Sequence, residues 1–467
     1  MTSCGFFIII NLSGLEEYGA YGAELREEKD MLYSKEIEKL DAFDVVVIGG
    51  GVAGFCAAVA AGRQGKRTAL VEDTGALGGI MTTGGNPQVG IFFAYYKQAI
   101  AGIGWELCQN LAAMGFAEIP DFSVVDTRKG SEPSNVKVCV PMAEAEMNRM
   151  CVAAGVKLYF HSKLIDAVVE NGAVKYAVVA EKGGLRCLSA DVFIDCSGDG
   201  DLCVLAGATY EKSETLQPGT LGYHFRCHNV AELDRDEIQA KFDERWKQGE
   251  ILHGDHWPAY HAHIMGFFKA GGCNSNHIVM DSSSAEGMTR AEIEGREKMA
   301  RMLRFAKEAA DITAYSTAAY AAPRESRRIV CDTKMTVDDF LTGRLYPDSV
   351  CYGYYNIDLH SYKKNEAFEK PSGRLPEGVV PNVTYRALCV KGLSNLLVAG
   401  RCASADRETM SALRVKSSCM AMGEVVGTAA ALCKDGSVRS VDVELLKRTL
   451  RENGAIVPDK ALFLPQE

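Results

Sequence analysis

Short apolar runs alternate with small-residue or amphipathic stretches along most of the chain. Residues 44–48 form an apolar run after one acid, as a strand buried on both faces requires. A glycine turn follows. Residues 52–64 then read as a helix of small residues and residues 67–71 as a second strand, which together make one βαβ unit. Helices are predicted near 105–114 and over 141–154, separated by a polar loop near 126–135. Strands are predicted over 156–160, 164–170, 174–181 and 192–195, with a turn at Asn171-Gly172.

From about residue 211 the character changes, and most of the histidines follow. A long, exposed helix is expected over 288–311. An apolar strand returns at 395–399, and residues 411–432 read as a buried helix with Gly423 and Gly427 on one side. These patterns divide the chain into an N-terminal extension (1–40), the first part of one domain (41–210), an inserted α+β domain expected to face the substrate (211–380) and the C-terminal part of the first domain (381–467).

A chain of 467 residues that is 47% hydrophobic and 24% charged is long enough for two or three domains with large cores. Its formal net charge of -10 offers no basic footprint for a polyanion, so no nucleic-acid partner is expected. The sixteen cysteines contain no CxxC pair and no cluster with metal-ligand spacing. Free buried thiols fit a reducing, cytoplasmic setting. The apolar run at 5–10 is too short to span a bilayer and lacks preceding Lys or Arg, so no membrane association is expected. Residues 16–40, rich in Glu and Lys, read as a solvated, partly helical extension.

The first turn carries a chemical signal. Gly49, Gly51 and Gly54 form a GxGxxG pattern between a strand and a helix, the context in which the pattern binds a dinucleotide. Gly49 permits the tight turn, Gly51 lets backbone approach a pyrophosphate, and Gly54 lets helix and strand pack closely. The phosphate charge meets the helix N-terminus. Glu72, ending the second strand, is placed to accept hydrogen bonds from a ribose hydroxyl.

A second glycine-rich stretch, with Gly78 and Gly79 at its centre, follows Glu72; a simple nicotinamide dehydrogenase has no need of it. Together these motifs resemble the FAD-dependent oxidoreductase family within the glutathione-reductase-type flavoproteins. The resemblance continues at 191–201, at 324–329, at 353–360, at Tyr385-Arg386 and at 395–401, and covers nearly all of residues 43–433. It implies a Rossmann-like, discontinuous FAD-binding domain of α/β class, with FAD as cofactor. By resemblance, Gly78 and Gly79 pass beside the pyrophosphate and ribityl chain. Gly400, Arg401 and the helix start around Arg414 and Val415 become flavin contacts, where a helix N-terminus would stabilise a reduced, negatively charged ring.

Hydride chemistry also needs a proton-transfer group and often a cation for a substrate acid. On a strand, Asn356, Asp358 and His360 would share one face, and Asp358 could orient His360; the plainer alternative is a pair that only holds the domains together. Arg324, Arg327 and Arg328 read either as an anchor for a substrate carboxylate or as ion pairs at the domain junction. Tyr385 and Arg386 would face opposite sides of a strand over 383–390, with Arg386 preferred as the catalytic group and Tyr385 as an alternate acid. His224 is a lower-ranked candidate for lining the pocket. His253, His256, His261, His263 and His277 match no standard metal spacing, so no metal is expected.

The expected activity is hydride transfer between flavin N5 and a small polar, oxygenated or carboxylate-bearing metabolite. No second GxGxxG is present, so the electron donor or acceptor is a separate molecule; homo-oligomerisation stays open. The alternatives are a non-redox or biosynthetic use of the fold, thiazole-synthase-like or RNA-modifying, and a flavin-binding protein without turnover.

Overall fold

The computed structural model describes residues 37, 39–123, 135–256, 263–273, 276–360 and 375–459. Residues 1–36 and 38 of the expected N-terminal extension, most of the polar loop near 126–135 and His261 lie outside the described residues.

The core is a seven-stranded mixed sheet. Its centre is β1 (Lys39–Ile48), flanked in parallel by β2 (Thr68–Val71) and by the strand Gly184–Asp195. Lys157–Tyr159 extends it beyond β2, and Leu396–Val398 joins in parallel beside Phe193–Asp195. The hairpin Lys163–Glu170/Ala173–Glu181 adds an antiparallel edge, with its turn at Asn171 and Gly172 in the left-handed region. Both β1 and Gly184–Asp195 are longer than the apolar runs predict. Residues Lys39–Phe43 of β1 pair with Arg186–Ala190, so the ladder continues where neither strand is wholly apolar.

Helix α1 (Val52–Arg63) crosses between β1 and β2 and is almost entirely buried. The C-terminal helix Lys416–Leu432 lies against it. A Cβ on Gly423 or Gly427 would come 2.1 Å from the carbonyl oxygen of Ala53 or Ala57 respectively, so the two helices touch backbone to backbone. The expected single helix over 411–432 is two helices. Arg407–Leu413 ends at Arg414, and Val415 adopts an extended conformation (ψ 147°) as the N-cap of the next helix.

The chain between the two halves builds a three-stranded antiparallel sheet, in the order Gly272–Cys273, Tyr223–Cys227, Ile312–Thr317. It carries the 25-residue helix Ala285–Ala309, capped by Ser284, and a separate aromatic core around Tyr223, Phe225, Phe267 and Phe305. Two strands expected from alternation are not strands. Residues 353–360 run in irregular conformation, and residues 385–388 form a 3-10 turn after the short strand Asn382–Thr384.

Candidate active site

The site begins at the two glycine loops. Gly49 has φ +94°, and a Cβ there would lie 2.5 Å from the Cys196 carbonyl oxygen. A Cβ on Gly54 would be 1.8 Å from the Gly49 carbonyl oxygen, whereas one on Gly51 meets nothing within 4 Å. The turn is thus closed at its ends and open in the middle, where α1 starts without a side-chain cap. The second loop lies against the first: the Gly78 N–H donates to the Gly50 carbonyl at 2.8 Å, and a Cβ on Gly79 would be 3.2 Å from the Gly51 Cα. Both Gly78 and Gly79 have positive φ, which only glycine adopts without strain.

Glu72 is buried between the loops. Its Oε2 accepts the Gly50 N–H at 2.7 Å, and its Oε1 accepts the Thr74 N–H and hydroxyl at 2.9 and 2.6 Å. Burial raises its pKa to about 7, partly offset by the Thr74 hydrogen bonds. Gly50, a free position in the motif, is also confined: a Cβ would lie 2.7 Å from Leu77 Cδ2 and 2.9 Å from Glu72 Oε2.

The chain returns to this place from its other end. Gly400 follows the strand Leu396–Val398 with φ +93°, and a Cβ there would be 3.3 Å from the Ala53 side chain in the first turn of α1. Arg401 turns to Asp199, pairing at 2.7 Å and donating to Ser326 at 3.1 Å. A little further on, the helix Lys416–Leu432 starts uncapped, and the hydroxyls of Ser417 and Ser418, both fully buried, have no hydrogen-bond partner among the described residues. Two uncapped helix N-termini, an open turn and two orphaned hydroxyls form a cradle that fits a dinucleotide with an electron-rich ring at its far end. Sequence reading missed Ser417, Ser418 and Tyr320. Burial pushes the Tyr320 hydroxyl up to about 12, and its neighbours are Thr83, Glu72 and Arg401. Hydrophobic patterning marked Ser417 and Ser418 only as part of a buried helix, and no sequence signal marked Tyr320.

The segment before residue 361 crosses the second helix start. A Cβ on Gly353 would be 3.3 Å from Ser418 Oγ. Asp358 donates its N–H to Ser411 Oγ at 3.0 Å, and Arg414 reaches its carboxylate at 3.1 Å. His360 Nε2 lies 3.3 Å from Asp358, and His360 Nδ1 lies 3.2 Å from Nε2 of the buried His277. Burial alone would raise the Asp358 pKa, but the hydrogen bond from His360 and the charges of Arg414 and Arg324 hold it well below the carboxylate range. Burial, then the Arg324 charge, lowers the His360 pKa below 6.5. An ionised Asp358 only accepts, so the neutral His360 carries its proton on Nε2, leaving Nδ1 as acceptor toward His277.

The three arginines separate. Arg327 pairs across the chain with Asp201, whereas Arg328 pairs with the nearby Glu325 at 3.0 Å, a carboxylate that also takes Arg407 at 3.1 Å. Arg324 makes no ion pair among the described residues; its Nη1 donates to the Pro218 carbonyl and Thr220 Oγ1 at 2.7 and 2.8 Å. Burial and neighbouring Arg414 lower its pKa to about 9, which leaves it charged at neutral pH.

Tyr385 and Arg386 lie apart from this group. The Tyr385 hydroxyl donates to the Val438 carbonyl at 2.7 Å inside the core, and Arg386, 56% exposed, pairs with Asp348 at 3.1 Å. His224 Nε2 is 3.4 Å from the Gly85 carbonyl, beside the second glycine loop. His256 packs against Phe242 and Phe267, where burial lowers its pKa to about 4. Among the described residues no three His, Cys, Asp or Glu side chains converge on a metal-sized site, and no helix is long and apolar enough to cross a membrane.

A mixed sheet with a parallel centre and a glycine cradle built from both chain ends defines a Rossmann-like nucleotide-binding protein. The chain belongs to the FAD dependent oxidoreductase family, which it matches over residues 44–450, and its cofactor is FAD. It is 31% identical over 143 residues to the tRNA uridine 5-carboxymethylaminomethyl modification enzyme MnmG of Aquifex aeolicus (strain VF5); that segment is 29% of this chain and 21% of the other. Among solved structures it is similar to a geranylgeranyl bacteriochlorophyll reductase-like protein from Thermoplasma acidophilum (13% identity, 88% of this chain and 84% of the other, TM-score 0.41). It is also similar to the glycerol-3-phosphate dehydrogenase of Bacillus halodurans complexed with FAD (15% identity, 42% of each chain, TM-score 0.30).

Proposed function

We propose that the protein moves a hydride between FAD and a small polar, oxygenated or carboxylate-bearing metabolite, in a pocket between the cradle and residues 211–380. One observation carries this reading: an ionised Asp358, a neutral His360 and a buried Arg324 that makes no ion pair among the described residues meet beside the helix start that holds Ser417 and Ser418. FAD supplies the hydride acceptor or donor. Asp358 orients His360, His360 takes or gives the substrate proton at Nδ1 in exchange for its contact with His277, and the charge of Arg324 holds a substrate carboxylate or oxyanion. Glu72 and the open turn at Gly51 bind the nucleotide end.

The free thiols, most of them buried and none in a disulfide among the described residues, favour a cytoplasmic setting, and the sequence, with no second GxGxxG, favours a separate electron partner. An RNA substrate is disfavoured by the net charge of -10, and the likeness to MnmG covers only part of either chain. The glutathione-reductase-type grouping rests on the motif resemblance.

Anaerobic mixing of the FAD-loaded protein with hydroxy acids, sugars and amines tests the reading: one class bleaches the flavin absorbance. His360→Asn should slow bleaching by roughly 10²–10⁴-fold with FAD still bound. For substrate oxidation, the wild-type rate falls as pH drops below the lowered His360 pKa, and that limb disappears in the variant. Bleaching at an unchanged rate in the variant would remove His360 from the mechanism.

A further inference from the structure

We propose that the protein has a second ligand site, for a small oxyanion such as a phosphate or carboxylate group, in a cavity remote in composition from the cofactor cradle. The cavity, about 160 Å³, is lined by Lys334, Arg344, Arg386, Asp339, Asp348 and Thr409 with their neighbours, and none of its lining residues belongs to either glycine loop.

Its acceptors are already used. Asp339 accepts the Thr336 and Tyr346 hydroxyls at 2.9 and 2.8 Å, and Asp348 accepts the Arg386 N–H at 3.1 Å as well as its guanidinium. Its donors are not exhausted. Arg386 spends Nε and Nη2 on Asp348, Arg344 makes one long contact to Asp339 at 3.6 Å, and Lys334 gives Glu211 two contacts at 2.8 and 2.9 Å. A guanidinium has five N–H donors and an ammonium three, so several remain for a ligand.

The lining carries three cations and two carboxylates, and Glu211, outside the lining, balances Lys334, so it is the surplus of N–H donors rather than a net charge that fits an acceptor-rich anion.

A further observation points the same way. Thr409 is 1% exposed, lines this cavity, and its hydroxyl has no hydrogen-bond partner among the described residues. A buried hydroxyl without a partner costs about 1–3 kcal/mol, and an oxyanion seated here would accept its hydrogen bond. Thr409 shares the helix Arg407–Leu413 with Ser411, the residue that receives the Asp358 N–H. A ligand in the cavity and the proposed proton-transfer pair thus bear on one short helix.

Calorimetric titration of the FAD-loaded protein with inorganic phosphate and, separately, with succinate tests the proposal, with readouts independent of turnover. At least one binds with a dissociation constant in the millimolar range or tighter. The stronger of the two identifies the group the site takes. Arg344→Gln, at an exposed position, weakens binding by about tenfold, the loss of one charge-assisted contact. Thr409→Val, nearly isosteric, also weakens binding while leaving the anion-free melting temperature unchanged or higher. Absence of binding by both probes, or binding that neither variant alters, would overturn the proposal.

Discussion

Glu424 shows how one side chain can tie pH to stability. It sits within the buried helix Lys416–Leu432, 2% exposed, and its Oε2 accepts the Ile103 N–H at 3.0 Å, capping the helix Ile103–Ala113. Burial raises its pKa from 4.5 to about 7. In the unfolded chain it ionises near 4.5, whereas the folded chain keeps its proton to about 7. Stability from this group is therefore complete below pH 4.5, declines as pH rises, and levels off above about 7. Glu424→Gln keeps an acceptor for Ile103 and removes the titration. Denaturant unfolding of both forms from pH 4 to 8 should show the variant gaining up to about 3 kcal/mol relative to wild type as pH rises. A constant difference across that range would mean that Glu424 does not titrate on folding. At the same scale, Arg324, Arg327 and Arg328 look alike in sequence. Only their partners separate two ion-paired cations from one that makes hydrogen bonds but no ion pair among the described residues.

At the scale of elements, the fold depends on helices brought into backbone contact. Gly427→Ala would push a methyl group to 2.1 Å from the Ala57 carbonyl oxygen, where the neighbour is main chain and cannot rotate away. Overpacking costs about 1–3 kcal/mol, more than the roughly 1 kcal/mol of helix propensity that alanine returns. We expect a lower melting temperature and weaker FAD retention. Gly266→Ala is the control: it lies in the helix Met265–Ala270, has open space around its Cα, and should be neutral or mildly stabilising. The elements that sequence misjudged share a cause. Residues 353–360 alternate in polarity but run irregularly, held by side-chain contacts to Ser411, Arg414 and Gln217 rather than by a ladder. The break at Arg414-Val415 has no glycine or proline to announce it; the contacts of Arg414 to Asp358 accompany it.

At the scale of the whole molecule, the cradle joins distant stretches of chain. Gly49 to Gly79 come from the N-terminal half, whereas Gly400 arrives some 350 residues later, just after a strand paired to Phe193–Asp195, and Ser417 follows on the helix Lys416–Leu432. Ligand that binds only this assembled site stabilises it by about 4 kcal/mol at a thousandfold excess over its dissociation constant. FAD should therefore raise the melting temperature by several degrees and move the transition of both halves together. Separate transitions, only one of them shifted by FAD, would contradict a cradle shared between the two ends.

The sequence by itself determined the class of cofactor site, because its signals are local. A glycine turn between strand and helix, a terminal acid and a returning apolar strand are written within short windows, and their backbone requirements exclude most alternatives. The strand and helix order of the core was legible for the same reason, since hydrophobic period reports burial directly. Which side chains gather beside the cradle was decided only by tertiary structure. Asp358, His360, His277 and Arg324 are drawn together from separate segments, and nothing in their spacing distinguishes them from Tyr385 and Arg386, which fold into the core and onto an exposed ion pair. Charge and hydrogen-bond partners act through space, and a linear pattern carries no record of which distant side chain will be within 3 Å.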